Sequence, residues 1–336
     1  MADGDERLRV CLAASGGGHV RQLLDLEPLW KRHDSFFVTE DSALGRSIAQ
    51  TQETFFVPHV ALGQARLGKP FQMLAAAFSS LRISLGILRK ARPDVILTTG
   101  AGSMAPLVLI GRMLGARIVL IDSFARFERP SAFAKLIGPF AHLKIAQAAK
   151  LAQNWKGALV FDPFRTIDGP RPEKEALLFG TVGATLAFPR LVDLVTAAHR
   201  DGIVREKIIL QVGNGAAVEQ DGIEWAETYS FDDIQAMLAR SDYVVCHGGT
   251  GSLITALRAG CRVIAVPRRY ELGEHYDNHQ AEITENFQKR GLIEIADTPE
   301  EFAAAVKNLR EREPTRATTD YTELMAYLDD WMAQTA

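Results

Sequence analysis

Tyr243-Val244-Val245-Cys246-His247-Gly248-Gly249-Thr250-Gly251-Ser252-Leu253-Ile254 runs from an apolar stretch through a glycine-rich turn into a helical pattern that continues with Ala256 and Leu257. Such a strand–turn–helix step aims unbonded backbone N–H groups and the positive end of a helix dipole at an anion. A second apolar run, Val263-Ile264-Ala265-Val266-Pro267, follows directly. Beyond it Arg268, Arg269, Glu274 and His275, then Asp277-Asn278-His279-Gln280, offer guanidinium, carboxylate, imidazole and amide groups able to read hydroxyls. Two polar turns at consecutive strand ends suit a ligand that places a diphosphate on the first and a sugar on the second.

The same alternation extends outward in both halves of the chain. Strand-like runs occur at Leu8 to Ala14, Phe36 to Thr39, Phe55 to Val57, Asp94 to Gly100, Arg117 to Asp122, Glu175 to Thr181 and Lys207 to Val212, with helical patterns between them. Continuous apolar strands of this kind predict an α/β fold with parallel sheets covered on both faces. A length of 336 residues exceeds what one core usually holds. The regular pattern lapses from Phe161 to Pro172, where Pro163, Gly169, Pro170 and Pro172 mark a linker. The expected domains are therefore 1–165 and 174–315, with ligands held in a cleft outside the carboxyl ends of the strands. The closing segment, 316–336, carries an amphipathic helix with Leu324, Met325, Leu328 and Trp331, which either crosses back to the first domain or caps the second.

Other strand ends carry candidate groups. Thr181-Val182-Gly183-Ala184-Thr185 lets backbone approach a ligand at Gly183 and adds the Thr185 hydroxyl, and Gly213 closes a similar turn. In the first half Ser15-Gly16-Gly17-Gly18-His19 leads from strand to helix. A dinucleotide fingerprint would need glycine where Arg21 stands, so an anion such as an acceptor diphosphate is the better fit for Gly16, Gly17 and Gly18. His19 is the first candidate for a general base, with Asp122 and Glu128 next; a helix-capping or phosphate-contacting histidine is the other reading.

Taken in order, TVGAT and FPRLV (Thr181–Val192), HGGTGSLITALRAGCRVIAVP (His247–Pro267) and DNHQAE (Asp277–Glu282) resemble the donor-binding half of inverting nucleotide-sugar transferases with the family 28 C-terminal domain. Ala13–His19, Arg92–Gly100, and Asp122–Arg126 through Ser131 resemble the companion subunit of the two-subunit, dolichol-linked N-acetylglucosamine transferase. The chain as a whole looks like a fused, PssD/PssE-type (GelK-like) bacterial exopolysaccharide transferase. The resemblance implies two Rossmann-like domains facing across a cleft, the GT-B architecture, and transfer of a sugar from a UDP-sugar to a polyprenyl-diphosphate-linked saccharide with inversion. It implies that the pyrophosphate meets His247, Gly248, Gly249, Thr250, Gly251 and Ser252, that Thr255 lies near the ribose, and that Asn278, His279 and Gln280 face the sugar. Arg126 belongs with the acceptor. Because relatives also tend to carry arginine at the position of Arg268, only Arg269 argues for a sugar carboxylate, and so for β-1,4-linked glucuronic acid; galactose or N-acetylglucosamine are the alternatives.

Composition narrows the remaining classes. A net charge of −3 gives no reason to expect nucleic acid. Cys11, Cys246 and Cys261 lack metal-ligand spacing and read as buried thiols, and no metal or other cofactor is expected. No apolar run reaches the roughly 18 residues of a membrane helix. Within 62–91, however, Arg66, Lys69, Arg82, Arg89 and Lys90 interleave with Phe71, Met73, Leu74, Phe78 and Leu81, a basic amphipathic segment able to lie on an anionic membrane. A peripheral location on the cytoplasmic face of the inner membrane is the corresponding expectation. A non-catalytic nucleotide-sugar-binding protein and a nucleotide-sugar epimerase stay open as other classes.

Overall fold

A computed structural model of the chain describes residues 7–58, 70–183, 187–213, 218, 220–275 and 279–334, with the backbone alone at 43, 70–77, 231 and 279. Two compact units emerge, Met1–Pro163 with Asp320–Ala336, and Phe164–Thr319.

The first unit holds strands β1 (Arg9–Ala14), β2 (Asp34–Glu40), β3 (Thr54–Val57), β4 (Val95–Gly100), β5 (Arg117–Ile121), β6 (Leu143–Ala146) and β7 (Ala158–Val160). They form one sheet in the order β3-β2-β1-β4-β5-β6-β7, every neighbouring pair parallel. Every residue of β4 is buried, as a strand covered on both faces requires. On one face Val10, Leu12, Val95, Leu97, Val119 and Ile121 pack with Leu23, Leu26, Leu29 and Trp30. On the other, the helices Pro70–Ala91 and Ala105–Met113 cross so closely that a Cβ on Gly111 would lie 3.6 Å from Leu88.

Closing the first core is the last helix, Thr322–Ala333, through Leu324, Leu328 and Met332. Tyr321 donates its hydroxyl to Gln147 Oε1 at 3.2 Å, Arg32 pairs with Asp329 at 2.7 Å, and the Arg117 guanidinium lies 4.2 Å from the Trp331 ring centroid. Of the two packings the sequence leaves open, this unit adopts the return to the first half.

The second unit contains β8 (Phe164–Thr166), β9 (Glu175–Thr181), β10 (Lys207–Gln211), β11 (Ile223–Ala226), β12 (Ser241–Cys246), β13 (Arg262–Ala265), β14 (Glu294–Ile295) and β15 (Ala317–Thr319). Six of them form a parallel sheet in the order β11-β10-β9-β12-β13-β14. Its core joins Leu178, Leu210, Val245 and Ile264 to Leu191, Val195, Phe302 and Val306 from the helices Pro189–Arg200 and Pro299–Arg310. The latter helix opens with a reciprocal cap between Thr298 and Glu301. Strands β8 and β15 pair antiparallel on their own. Part of the expected linker is thus strand, and the chain changes units at 163/164 and again at 319/320.

Both parallel sheets share one topology. Strand order reverses between β1 and β4 in the first and between β9 and β12 in the second, and at such switch points the strand ends splay to leave a crevice for ligand.

Candidate functional site

In the second unit the switch point is built around one imidazole. Gly183 after β9 (φ +82°) and Gly248 after β12 (φ +77°) adopt backbone that L side chains avoid. The His247 ring lies between Gly183 and Gly249: a Cβ on Gly183 would sit 2.6 Å from His247 Cε1, and a Cβ on Gly249 would overlap the same ring. Both glycines are thus required by packing, which a motif reading alone does not reveal. The helix Thr250–Arg258 then begins at Gly249, which has no side chain to satisfy the first-turn N–H groups, leaving those donors to another acceptor. Thr255 Oγ1 donates to Gly251 O at 2.6 Å, and a Cβ on Gly251 would meet nothing within 4 Å. Gly213 (φ +74°) closes the neighbouring turn after β10.

The loop after β13 departs from the expectation that its charges read the ligand. Arg268 is 2 % exposed, donates to Val182 O at 2.8 Å, and stacks 4.8 Å from the Phe188 ring centroid. Burial pushes its pKa down to about 10 against the pull of Glu274, so it stays charged at neutral pH. Arg269 is ion-paired with Asp297 and gives its backbone N–H to Glu274 Oε2 at 2.9 Å. Glu274 in turn receives Arg190 Nε at 2.8 Å and a second Arg190 nitrogen at 2.7 Å. Arg268, Arg269 and Glu274 thus form an internal charge cluster, in which half-buried charges pair with one another. Gln280 is buried, and its Oε1 accepts the Arg268 backbone N–H at 3.0 Å. His275 is half-buried beside this loop. Thr185, Asn278 and the His279 side chain lie outside the described residues.

The first unit has a matching arrangement. His19 follows β1, and its Nδ1 lies 2.9 Å from Thr99 O, while Thr99 Oγ1 donates to His19 O at 2.8 Å. A carbonyl only accepts, so Nδ1 carries the proton, and Nε2 is the basic nitrogen of the neutral ring. Gly100 packs on the imidazole, where a Cβ would approach Cε1 to 3.6 Å. The next residue, Ala101, sits at φ +102°, ψ +150°, a conformation that costs a non-glycine residue of order 1–3 kcal/mol. A Cβ on Gly16 would lie 3.2 Å from Ser42 Oγ, one on Gly17 would meet nothing within 4 Å, and Gly18 starts the helix Gly18–Leu24.

The other two candidate bases have different work. Asp122 is 2 % exposed and accepts the backbone N–H groups of Ser123 and Ser131, each at 2.9 Å, which folds the intervening loop. Burial raises its pKa, opposed by those donors and by nearby Arg126, which is half-buried. Glu128 is exposed and pairs with Lys150. Asp122 therefore holds the loop between Ser123 and Ser131, and Glu128 carries an ion pair. Sequence reasoning passed over Thr99 and Arg190, although Arg190 carried a signal: a cation in the first turn of a helix opposes the dipole unless acids compensate it.

Among the described residues no group of three or more His, Cys, Asp or Glu side chains could hold a metal, and no helix is long and apolar enough to cross a membrane.

Residues 177–326 match the glycosyltransferase family 28 C-terminal domain. The UDP-N-acetylglucosamine transferase subunit ALG13 of Yarrowia lipolytica is 31% identical over 147 residues, covering 40% of this chain and 73% of that protein. The UDP-N-acetylglucosamine–N-acetylmuramyl-(pentapeptide) pyrophosphoryl-undecaprenol N-acetylglucosamine transferase of Syntrophotalea carbinolica is 26% identical over 274 residues, or 75% of this chain and 74% of that one. Among solved structures, Acinetobacter baumannii MurG superposes with a TM-score of 0.61 at 16% identity, covering 97% of this chain and 99% of its own. The Streptomyces nogalater glycosyltransferase SnogD gives 0.59 at 17% identity, covering 97% of this chain and 100% of its own. The fold is that of the GT-B glycosyltransferases.

Proposed function

We propose that this chain, which belongs to glycosyltransferase family 28, transfers a sugar from a UDP-sugar to a saccharide carried on a polyprenyl diphosphate, inverting the anomeric carbon. The observation that carries this reading is the uncapped helix start at Gly249–Ser252, placed at the switch point of the second sheet. Its N–H groups and dipole suit the diphosphate of UDP, whose negative charge grows as the bond to the sugar breaks. In the reaction an acceptor hydroxyl oxygen attacks the anomeric carbon, UDP departs with the bonding pair, and His19 Nε2 takes the hydroxyl proton. Gly16, Gly17 and Gly18 serve the acceptor's diphosphate with the same chemistry. No step requires a metal ion.

The donor sugar is the finer question. The relatives named above are N-acetylglucosamine transferases, whereas the resemblance to fused exopolysaccharide transferases implies glucuronic acid. A carboxylate on the sugar would have to displace Asp297 from Arg269. A neutral sugar needs no such exchange, which favours N-acetylglucosamine as the donor sugar and keeps glucuronic acid as the second reading.

Titrating UDP, UDP-N-acetylglucosamine, UDP-glucuronate and UDP-galactose while following thermal unfolding tests both levels. At 100 times its Kd a ligand adds about 2.7 kcal/mol of stability. The expected order puts UDP-N-acetylglucosamine first, with UDP release dependent on a lipid-linked acceptor. A chain indifferent to every uridine nucleotide would end the assignment.

Access to such an acceptor fits one surface of the first unit. Phe78, 70 % exposed, lies with Leu81 and Ile83 beside Arg82, Arg89 and Lys90 on the helix Pro70–Ala91, and Met113 and Leu114 are exposed at the end of the adjacent helix. We read this as a peripheral contact with an anionic leaflet on the cytoplasmic side. Changing Phe78 and Leu81 together to serine is expected to cut sedimentation with phosphatidylglycerol vesicles roughly tenfold or more, since each inserted side chain contributes on the order of 1.5–3 kcal/mol. Turnover of a short-chain, water-soluble acceptor should stay unchanged in the same variant.

A further inference from the structure

Between β13 and the helix His279–Lys289 the described backbone has only one short turn, Tyr270–Leu272, so ladder hydrogen bonds do not fix its shape. Side chains do, and one of them reaches three residues in two segments. Arg190 donates to Pro267 O at 2.8 Å, to both carboxylate oxygens of Glu274 at 2.8 and 2.7 Å, and to Asp297 Oδ1 at 2.7 Å. Its side chain is 19% exposed, and those of Glu274 and Asp297 are 14% and 28% exposed. Asp297 and Glu274 then engage Arg269 through its guanidinium and its backbone N–H. The adjacent Arg268 presents its own N–H to Gln280 Oε1, and its guanidinium shares the Phe188 ring with that of Arg190.

The position of Arg190 sharpens the point. It is the second residue of the helix Pro189–Arg200, where a positive charge opposes the helix dipole. A cation there is unfavourable for the helix itself and is compensated only by the two acids. The bidentate fork to Glu274 is a geometry lysine cannot reproduce.

We infer that Arg190 is a positioning residue for donor-sugar recognition: acting through Glu274, Asp297 and Arg269, it sets the described loop from Pro267 to His275, assigned above to the sugar, without itself touching the reacting atoms. This rests on the assignment of the second unit to the UDP-sugar. It separates two parts of one ligand, because the uridine diphosphate leans on the turn Gly248–Ser252 while the sugar leans on the loop that Arg190 holds.

The test therefore compares UDP with the intact UDP-sugar. In Arg190→Gln the KM for the donor is expected to rise about tenfold to a hundredfold, the effect of a displacement near 1 Å, while the Kd for UDP measured by calorimetry stays within about twofold. Arg190→Lys should show the same split, since the fork is lost although the charge is kept. Glu274→Gln, which removes charge with little change of shape, should reproduce it and decides the matter if Arg190→Gln does not fold. Parallel losses of UDP and UDP-sugar binding, or no change in either, would overturn the proposal. A wild-type protein that binds no UDP at all is a different result, which removes the donor assignment and this role with it.

Discussion

Gly183→Ala is expected to weaken UDP binding, and with it turnover, by at least about a hundredfold. Two penalties combine. At φ +82° an alanine pays roughly 1–2 kcal/mol in backbone strain alone. Its Cβ would also stand 2.6, 2.9 and 3.0 Å from three atoms of the His247 ring. The ring has nowhere to step, because its other side is closed by Gly249, the residue that starts the helix Thr250–Arg258. Displacement is passed directly to the N–H groups assigned to the diphosphate. Gly251→Ala is the informative companion, since no atom lies within 4 Å of the added methyl and the φ of Gly251 is not positive. Gly251→Ala should unfold at the wild-type temperature, so any loss of UDP affinity in it reports the approach of the ligand itself. Calorimetric titration of both variants with UDP checks this, and near-normal affinity in Gly183→Ala would mean that the turn does not cradle the diphosphate.

His19→Ala should lower kcat by about 10²–10⁴-fold, the usual worth of a positioned general base, while leaving the Kd for UDP unchanged. With Nδ1 committed to Thr99 O, the basic nitrogen is Nε2, and protonating it makes both ring nitrogens donors. If the neutral ring is the base, an acid limb in the wild-type pH–rate profile must vanish in His19→Ala. If the variant keeps the limb, the base is another residue. If it loses UDP binding along with turnover, His19 has a role in holding the fold and not in proton transfer.

How far the sequence discloses these features differs from element to element. Strands β1, β4, β5, β9, β12 and β13 are continuous apolar runs because both faces of their sheets are covered, and they are legible at sight. β6, Leu143-Lys144-Ile145-Ala146, hides in an alanine- and lysine-rich stretch, and β11 and β14 are too short to show a period. Glycine turns are equally legible, since a positive φ at Gly183, Gly213 and Gly248 leaves a mark in residue type. Partners of charged groups leave none. Arg190 stands 84 residues from Glu274 and 107 from Asp297, so nothing local distinguishes Arg269 reading a substrate from Arg269 held by Asp297. The same holds for Asp122: nothing local announces that its carboxylate accepts the N–H groups of Ser123 and Ser131.

One consequence of the last helix concerns synthesis. Tyr321, Leu324, Leu328 and Met332 complete a core whose other buried members belong to the first 163 residues. During synthesis the amino-terminal sheet therefore lacks part of the cover of one face until residues 322–333 have been made, whereas the intervening unit has its entire sequence earlier. A released chain ending at residue 319 should accordingly be cleaved by protease within 7–163 before it is cleaved within 164–319.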